Sequence, residues 1–350
     1  MAVNKQLLQF GIIGCGRIVQ RVHLPAWRAI KHVRLIAICD SSHSALQAVS
    51  AQYPKVRKYS DVDSFLAGAS DLDFVVLATP GDSHFAIGEK ILRSKRHLLC
   101  EKPLALNERD AQHLYDVAEA EGVILTPIHN YKYRDSVMKA LSCKKIGALG
   151  DVVSFTVRYR CGSLFDNPAC WRREERKQCV LLFDFGFHSV YLALLFAGTV
   201  SSVRFVDAEV DSAGLQYVVF GTLHHNGCRG LFELMLDASC SRAEMEVLSE
   251  RGGFMLDFLP HGFRVLPRRD TPLYRSWEDI RLLFSFASTS ARVRLLRELP
   301  ARAVPHSRLF SAFIDTIQKG TPNPVAQVET MQTISLLNQV AELAYAQGIK

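Results

Sequence analysis

Asp184 and His188 stand four residues apart in the apolar stretch Leu181-Leu182-Phe183-Asp184-Phe185-Gly186-Phe187-His188. On a helix over residues 180–196 that spacing puts both side chains on one face, and the apolar neighbours bury the helix. An imidazole whose ordinary pKa lies near neutrality is suited to take a hydroxyl proton. The aspartate can orient either that ring or a substrate. A third group, Lys102, follows a short apolar strand in Glu101-Lys102-Pro103. Pro103 fixes the backbone, a cis peptide being one way, and aims Lys102 into the crevice at the strand's end. There its ammonium can hydrogen-bond a substrate oxygen and stabilise a developing alkoxide. Loss of a hydroxyl proton is half of an alcohol oxidation; the other half is hydride removal, which needs an acceptor.

The N-terminal residues supply a place for one. Residues 8–13 read as a buried strand, and Gly14 and Gly16 follow at the spacing of a dinucleotide fingerprint. Gly14 allows the tight turn, and Gly16 lets the backbone approach a pyrophosphate. Arg17 and Ile18 open a helix to residue 30, whose free N–H groups face the phosphates. The third small position of the fingerprint holds Val19, which should set the helix slightly off the strand or be absorbed by small neighbours. The next strand, residues 33–39, ends in Asp40, whose carboxylate can accept both ribose hydroxyls of NAD. No arginine follows directly to hold a 2′-phosphate, so NAD is expected over NADP. The loop Ala78-Thr79-Pro80-Gly81-Asp82-Ser83-His84 lies at the end of another parallel strand, where open α/β sheets bind ligands.

These groups need two domains to position them. Residues 1–126 alternate strand and helix, with strands at 8–13, 33–39, 57–59, 74–78, 97–100 and 123–126. That is the grammar of a Rossmann domain, a doubly wound parallel sheet. In residues 127–350 a helix at 135–145 ends at Gly147, a strand covers 152–159, and the helix at 180–196 follows. Strands at 203–208, 217–225, 230–236, 245–249 and 254–258 come next, with Asn226-Gly227 and Gly252-Gly253 as hairpin signals. An α+β domain with an open, mainly antiparallel sheet is expected. Residues 259–305 carry no clear pattern. Helices at 308–319 and 325–347 close the chain, the last expected to pack back on the first domain.

The 350 residues are 48% hydrophobic and carry a net charge of +7, which suits an anionic cofactor but equally a merely soluble surface. Nine scattered cysteines form no C-x-x-C pair, which points to reduced thiols and to no metal site. No apolar run nears the roughly 20 residues of a membrane span, and the first nine residues lack a signal-peptide core. A cytoplasmic protein without a membrane partner is expected. Arginines crowd residues 281–308, but no nucleic-acid motif accompanies them. Their alternation with leucine suits a surface or subunit contact.

Taken in order, Gly14-Cys15-Gly16-Arg17-Ile18, Ala78-Thr79-Pro80 with His84, Glu101-Lys102-Pro103 and Asp184-Phe185-Gly186-Phe187-His188 resemble the glucose–fructose oxidoreductase / inositol dehydrogenase / MocA family. The resemblance implies NAD(P)-dependent oxidation or reduction of a carbinol on a sugar, cyclitol or sugar nucleotide. It implies that Gly14, Gly16, Arg17, Ile18, Asp40, Ala78, Thr79, Pro80, His84, Glu101 and Lys102 surround the cofactor, with Glu101 on the nicotinamide ribose. Lys102, Asp184 and His188 become the catalytic set. Asn130 and Tyr133 become substrate contacts, or else part of a buried polar cluster. Trp171 and Arg172 lie in the loop that covers the substrate, where Arg172 can bind a carboxylate or phosphate. A homodimer or homotetramer joined through the open sheet is also implied.

The family often has paired glycines just before the Asp184 helix; here that place reads Gln178-Cys179-Val180, which reshapes the pocket near the nicotinamide. Two other functions suit the same scaffold. Retained NAD can couple transient oxidation to elimination, epimerisation or glycoside cleavage, and a non-catalytic NAD sensor needs no chemistry at all. The presence of Lys102, Asp184 and His188 argues against a sensor.

Overall fold

The computed structural model describes residues 7–145, 147, 149–160, 181–211, 214–236, 242–258, 261–267 and 302–346. Six apolar runs form strands: β1 (Leu8–Ile13), β2 (Val33–Cys39), β3 (Arg57–Tyr59), β4 (Phe74–Leu77), β5 (His97–Cys100) and β6 (Leu125–Pro127). They pair in parallel in the order β3-β2-β1-β4-β5-β6. The order reverses between β1 and β4, which opens a crevice beyond their C-terminal ends. The ladder continues one residue past the strands: Gly14 N–H donates to the Cys39 carbonyl, Ala78 N–H to Ile13 and Glu101 N–H to Leu77, each at 2.8 Å. Gly14, Ala78 and Glu101 are therefore set side by side along one edge of the crevice.

The connecting helices are α1 (Leu24–Arg28), α2 (His43–Ser50), α3 (Val62–Gly68), α4 (His84–Arg93) and α5 (Glu108–Ala120). Ser42, Asp61 and Asn107 cap α2, α3 and α5 by accepting N–H bonds three residues on. A wider, π-helical turn (Val19–His23) precedes α1, and it begins at the fully buried Val19 that replaces the fingerprint's third small residue.

The second sheet contains β7 (Val152–Arg160), β8 (Val200–Asp211), β9 (Gly214–His224), β10 (Arg229–Met235), β11 (Arg242–Ser249), β12 (Gly252–Phe258) and β13 (His261–Pro267). Its order is β13-β12-β11-β7-β10-β9-β8. The sheet is mixed, because β10 lies parallel to β7 while every other pair is antiparallel. Sequence reading found no strand at β13. It also put a turn at Gly252-Gly253; the turn falls at Glu250 and Arg251, and the two glycines begin β12.

Helices α6 (Asp135–Lys145), α7 (Phe187–Ala197), α8 (Val304–Lys319) and α9 (Gln327–Ala346) complete the described chain. Helix α7 is apolar all round because it is enclosed between the second sheet and α9. Phe310 and Phe313 of α8 pack against the first sheet, with Phe310 stacked on Trp27 at 4.3 Å and Phe313 edge-on to Phe74. Helix α9 lies against α7 and β8 and also touches α5, so the helix that braces the first sheet most directly is α8. Lys132 bonds Glu329 of α9 at 2.8 Å, and Asn323 holds both Thr126 and the Leu125 carbonyl. The C-terminal segment is thus tied to the β6 edge of the first sheet. Among the described residues no helix is long and apolar enough to cross a membrane.

Candidate active site

Gly14 has φ +91°, and a Cβ on it would stand 2.5 Å from the Ala78 carbonyl oxygen. Any larger residue would break the β1–β4 approach. A Cβ on Gly16, by contrast, would meet nothing within 4 Å. The turn is closed against the sheet on one side and open at Gly16, with Arg17 and Ile18 exposed beside it. That open backbone is the shape a pyrophosphate needs, so the residues present fit a dinucleotide. Asp40 accepts the Cys15 N–H at 2.6 Å and the Ser42 N–H at 2.7 Å, which fixes its carboxylate at the tip of β2.

His84 is buried, and its ring nitrogens lie 2.7 Å from the Pro103 carbonyl and 2.8 Å from the Thr79 carbonyl. It reaches the crevice only through the two loops it staples, the Ala78-Thr79-Pro80 loop and the loop after β5. The Lys102–Pro103 peptide is cis.

Glu101 is held from behind by residues the sequence reading did not single out. Nε2 of the fully buried His23 donates to its carboxylate at 2.7 Å. His306, from the first turn of α8, completes a group whose ligand atoms lie within 4.8 Å of one another. Burial pushes the Glu101 carboxyl up, but the His23 bond, with His306 and Lys102 nearby, outweighs it and leaves a pKa of about 2. Glu101 therefore stays an anionic acceptor at the crevice edge. Two turns far apart in sequence make this possible: the π-helical turn carries His23, and α8 brings His306.

Lys102 and Asp184 meet across the domains. The Lys102 ammonium donates to the Asp184 backbone carbonyl at 2.7 Å and also to its carboxylate. Asp184 sits in a π-helical turn (Leu181–Gly186) ahead of α7, where a Cβ on Gly186 would press on Leu234 of β10 at 2.8 Å. Among the described residues Asp184 thus pairs with Lys102 and not with His188.

His188 is 8% exposed. Its Nδ1 lies 3.4 Å from the Tyr191 hydroxyl, and its ring stacks on Tyr131. Burial drives its pKa well below the ordinary histidine value, and Lys102, Arg134, His129 and His306 push the same way. The near-neutral titration expected from sequence is therefore absent, and the ring is neutral at working pH.

Asn130 is buried near this cluster's backbone, while Tyr133 packs into the α8 core and burial raises its hydroxyl to about 12. The aromatic ring on His188 is Tyr131, two residues earlier, which sequence reading passed over. Trp171, Arg172 and the Gln178-Cys179-Val180 departure lie outside the described residues, as do residues 281–301 of the arginine-rich segment.

Burial depresses six histidines of the described chain: His84, His97, His129, His188, His224 and His306. His129 falls to about 3 and His306 to about 4. Below the ordinary value of about 6.5 the unfolded chain takes up protons that these folded rings refuse, so stability is full above that pH and lost as pH falls. His129 and His306 alone cost up to about 1.4 kcal/mol each per pH unit. The urea midpoint should drop clearly between pH 7 and pH 5; an unchanged midpoint would refute the buried, neutral state of these rings.

A doubly wound sheet with an open glycine turn, an anionic strand tip and a lysine–aspartate pair ahead of a buried imidazole defines a dinucleotide-dependent oxidoreductase architecture. Comparison with known proteins places it further. Residues 8–129 match the profile described as "Oxidoreductase family, NAD-binding Rossmann fold", and residues 139–255 match "GFO/IDH/MocA C-terminal domain". The chain belongs to the Gfo/Idh/MocA oxidoreductase family. It is 30% identical over 203 residues to D-apiose dehydrogenase of Paraburkholderia graminis, covering 58% of this chain and 53% of that protein. It is 26% identical over 199 residues to D-glucoside 3-dehydrogenase of Escherichia coli, covering 56% of each. The chain thus spans about half the length of these two curated relatives. The WlbA dehydrogenase of Bordetella pertussis, crystallised with NADH and UDP-GlcNAcA, shares the fold at TM-score 0.81 and 20% identity, over 99% of this chain and 98% of that one.

Proposed function

We propose that this chain is an NAD-dependent dehydrogenase or reductase for a carbinol of a sugar, cyclitol or sugar-nucleotide-like substrate. The observation that carries the reading is the ion pair of Lys102 from the first sheet with Asp184 from the second domain, with the Lys102 charge felt at His188, beside an open dinucleotide turn. Gly14, Gly16, Arg17, Ile18 and the Ala78-Thr79-Pro80 loop would hold the dinucleotide, with Asp40 on the adenosine ribose and Glu101 on the nicotinamide ribose. When bound, the nicotinamide supplies a two-electron hydride acceptor.

The chain's own residues handle the proton. In the tautomer that directs Nδ1–H at the Tyr191 oxygen, Nε2 of His188 keeps its lone pair and takes the substrate hydroxyl proton. Lys102, bonded to Asp184, donates to the same oxygen and stabilises the charge that develops there. Residues from 127 onward then supply the substrate side, with Asn130 as a contact. The relatives named for apiose and glucoside dehydrogenation support a sugar-like substrate. A panel of inositols, sugars and nucleotide sugars, read by nicotinamide absorbance, tests the reading: at least one member should reduce NAD in the unaltered protein. Bound NAD that never exchanges or turns over would favour the redox-coupled elimination or epimerisation alternative.

The Asp40 geometry supports NAD over NADP, since a 2′-phosphate beside that carboxylate sets two anionic groups together. NAD should bind at least tenfold more tightly, and Asp40→Ala should narrow the gap mainly by weakening NAD. Calorimetric titration showing tighter NADP binding to the unaltered protein would reverse the assignment.

The second sheet's outward face carries exposed Phe205, Leu231 and Leu248 among charged pairs such as Arg160–Glu233. It supports pairing of two copies through that sheet, in a homodimer or homotetramer.

A further inference from the structure

Tyr131 lies flat on His188, with ring centroids 4.0 Å apart and planes 4° from parallel. The Arg134 guanidinium carbon stands 3.3 Å from the centroid of the same Tyr131 ring. Two planar groups this close cannot share one face, so the tyrosine is sandwiched between a fixed cation and the imidazole. The segment that carries both is short: Asn130–Tyr133 is one 3₁₀ turn, and the Arg134 N–H bonds the Tyr131 carbonyl at 3.1 Å. Arg134 is anchored at its far end, donating through Nη1 to the Phe258 carbonyl at 2.7 Å. The Tyr131 backbone N–H donates to the Tyr191 hydroxyl oxygen at 2.9 Å, the oxygen that faces Nδ1 of His188. One residue thus sets the face of the imidazole with its side chain and the edge with its backbone.

Among the described residues, the cations acting on His188 are Lys102, from the end of β5, and Arg134, from the start of α6; His129, from the end of β6, and His306, from α8, face it as rings that burial keeps neutral. Asp184, four residues earlier in the chain, is engaged with Lys102, and Tyr191 is the neighbour on the His188 helix. A cation behind a π-face repels a charge arriving on the stacked ring, while the face itself attracts it.

We propose that Tyr131 and Arg134 are positioning residues that act through His188, clamping its ring plane and holding it uncharged until a substrate proton is delivered. This rests on the reading of His188 as proton acceptor. The stack does two things a loose side chain cannot. It removes the rotamer freedom of the acceptor, so that its lone pair is pre-aligned with the crevice. It also sets basicity by a balance of Tyr131 attraction against Arg134 repulsion, which a substitution at either position tilts in a stated direction.

The test is an NMR titration of the His188 ring in the full chain without cofactor, with the resonance assigned by its loss in His188→Gln. Arg134→Met should raise the ring's pKa by about one unit, and Arg134→Lys, which keeps the charge, should restore the low value. Tyr131→Phe keeps the stack and should behave like the unaltered protein. Tyr131→Leu removes it and should lower kcat at least tenfold on a panel substrate, with KM and NAD affinity little changed. A pKa that ignores Arg134→Met, or a Tyr131→Phe variant as impaired as Tyr131→Leu, overturns the proposal. A pKa that follows Arg134 while His188→Gln turns over normally upholds the stack's control of the ring and overturns the proton-acceptor reading beneath it.

Discussion

His188→Ala lowers turnover by roughly a hundredfold or more, the usual loss when a general acid–base group is removed, while NAD affinity barely changes. The separation follows from where the residue sits. His188 enters the crevice from α7 and touches Tyr131 and Tyr191, whereas the dinucleotide turn is built on β1, β2 and β4. The loss should fall on kcat, because a proton acceptor matters most as charge moves. The pH dependence is equally specific. A ring kept neutral by burial, with Lys102 and Arg134 beside it, does not titrate near pH 6.5 in the free protein. The acid limb of kcat/KM should therefore lie well below that value. A limb centred in the ordinary histidine range would mean that His188 is more exposed to water than its 8% accessibility allows.

Lys102→Ala should cost more, about a hundred- to a thousandfold, because it removes the donor aimed at the reacting oxygen. It also removes the Lys102 bond to the Asp184 carboxylate in a site where the two side chains are only 10% and 23% exposed. Breaking such a pair from one side costs up to a few kcal/mol, so the thermal midpoint should fall as well. Asp184→Asn separates the two effects. It keeps an oxygen to accept from Lys102, and the backbone carbonyl bond at 2.7 Å remains. Its stability should stay near that of the unaltered protein, with a smaller loss of turnover. If Lys102→Ala and Asp184→Asn lose equal activity, Lys102 acts only as a structural partner of Asp184.

What could be read from the chain was whatever is encoded locally. The apolar run into Gly14 and Gly16, the strand ending in Asp40 and the caps at Ser42, Asp61 and Asn107 are each set by a few adjacent residues. The parallel sheet followed from them. The Glu101-Lys102-Pro103 corner was legible for the same reason, since a strand end beside a proline has one direction to face. The supports of the site were not legible, because they come from distant segments. Nothing near Glu101 announces His23 or His306, which arrive on a π-helical turn and on α8. The four-residue spacing of Asp184 and His188 suggested a pair, yet the π-helical turn at Leu181–Gly186 gives Asp184 to Lys102 and leaves His188 stacked on Tyr131. Strand β13 escaped notice because its pairing with β12 is made by tertiary contact, and its own run, His261-Gly262-Phe263-Arg264-Val265-Leu266-Pro267, has a glycine as its second residue and ends with a proline.

The most direct test is single-turnover reduction of bound NAD, followed across pH for the unaltered protein and for His188→Ala with one reactive panel substrate. The expected result is hydride transfer in the unaltered protein that stays level through neutral pH and declines only well below pH 6.5, with the variant at least a hundredfold slower at every pH. Equal rates and equal pH profiles in the two proteins would contradict it, leaving Lys102 as the group that takes the proton.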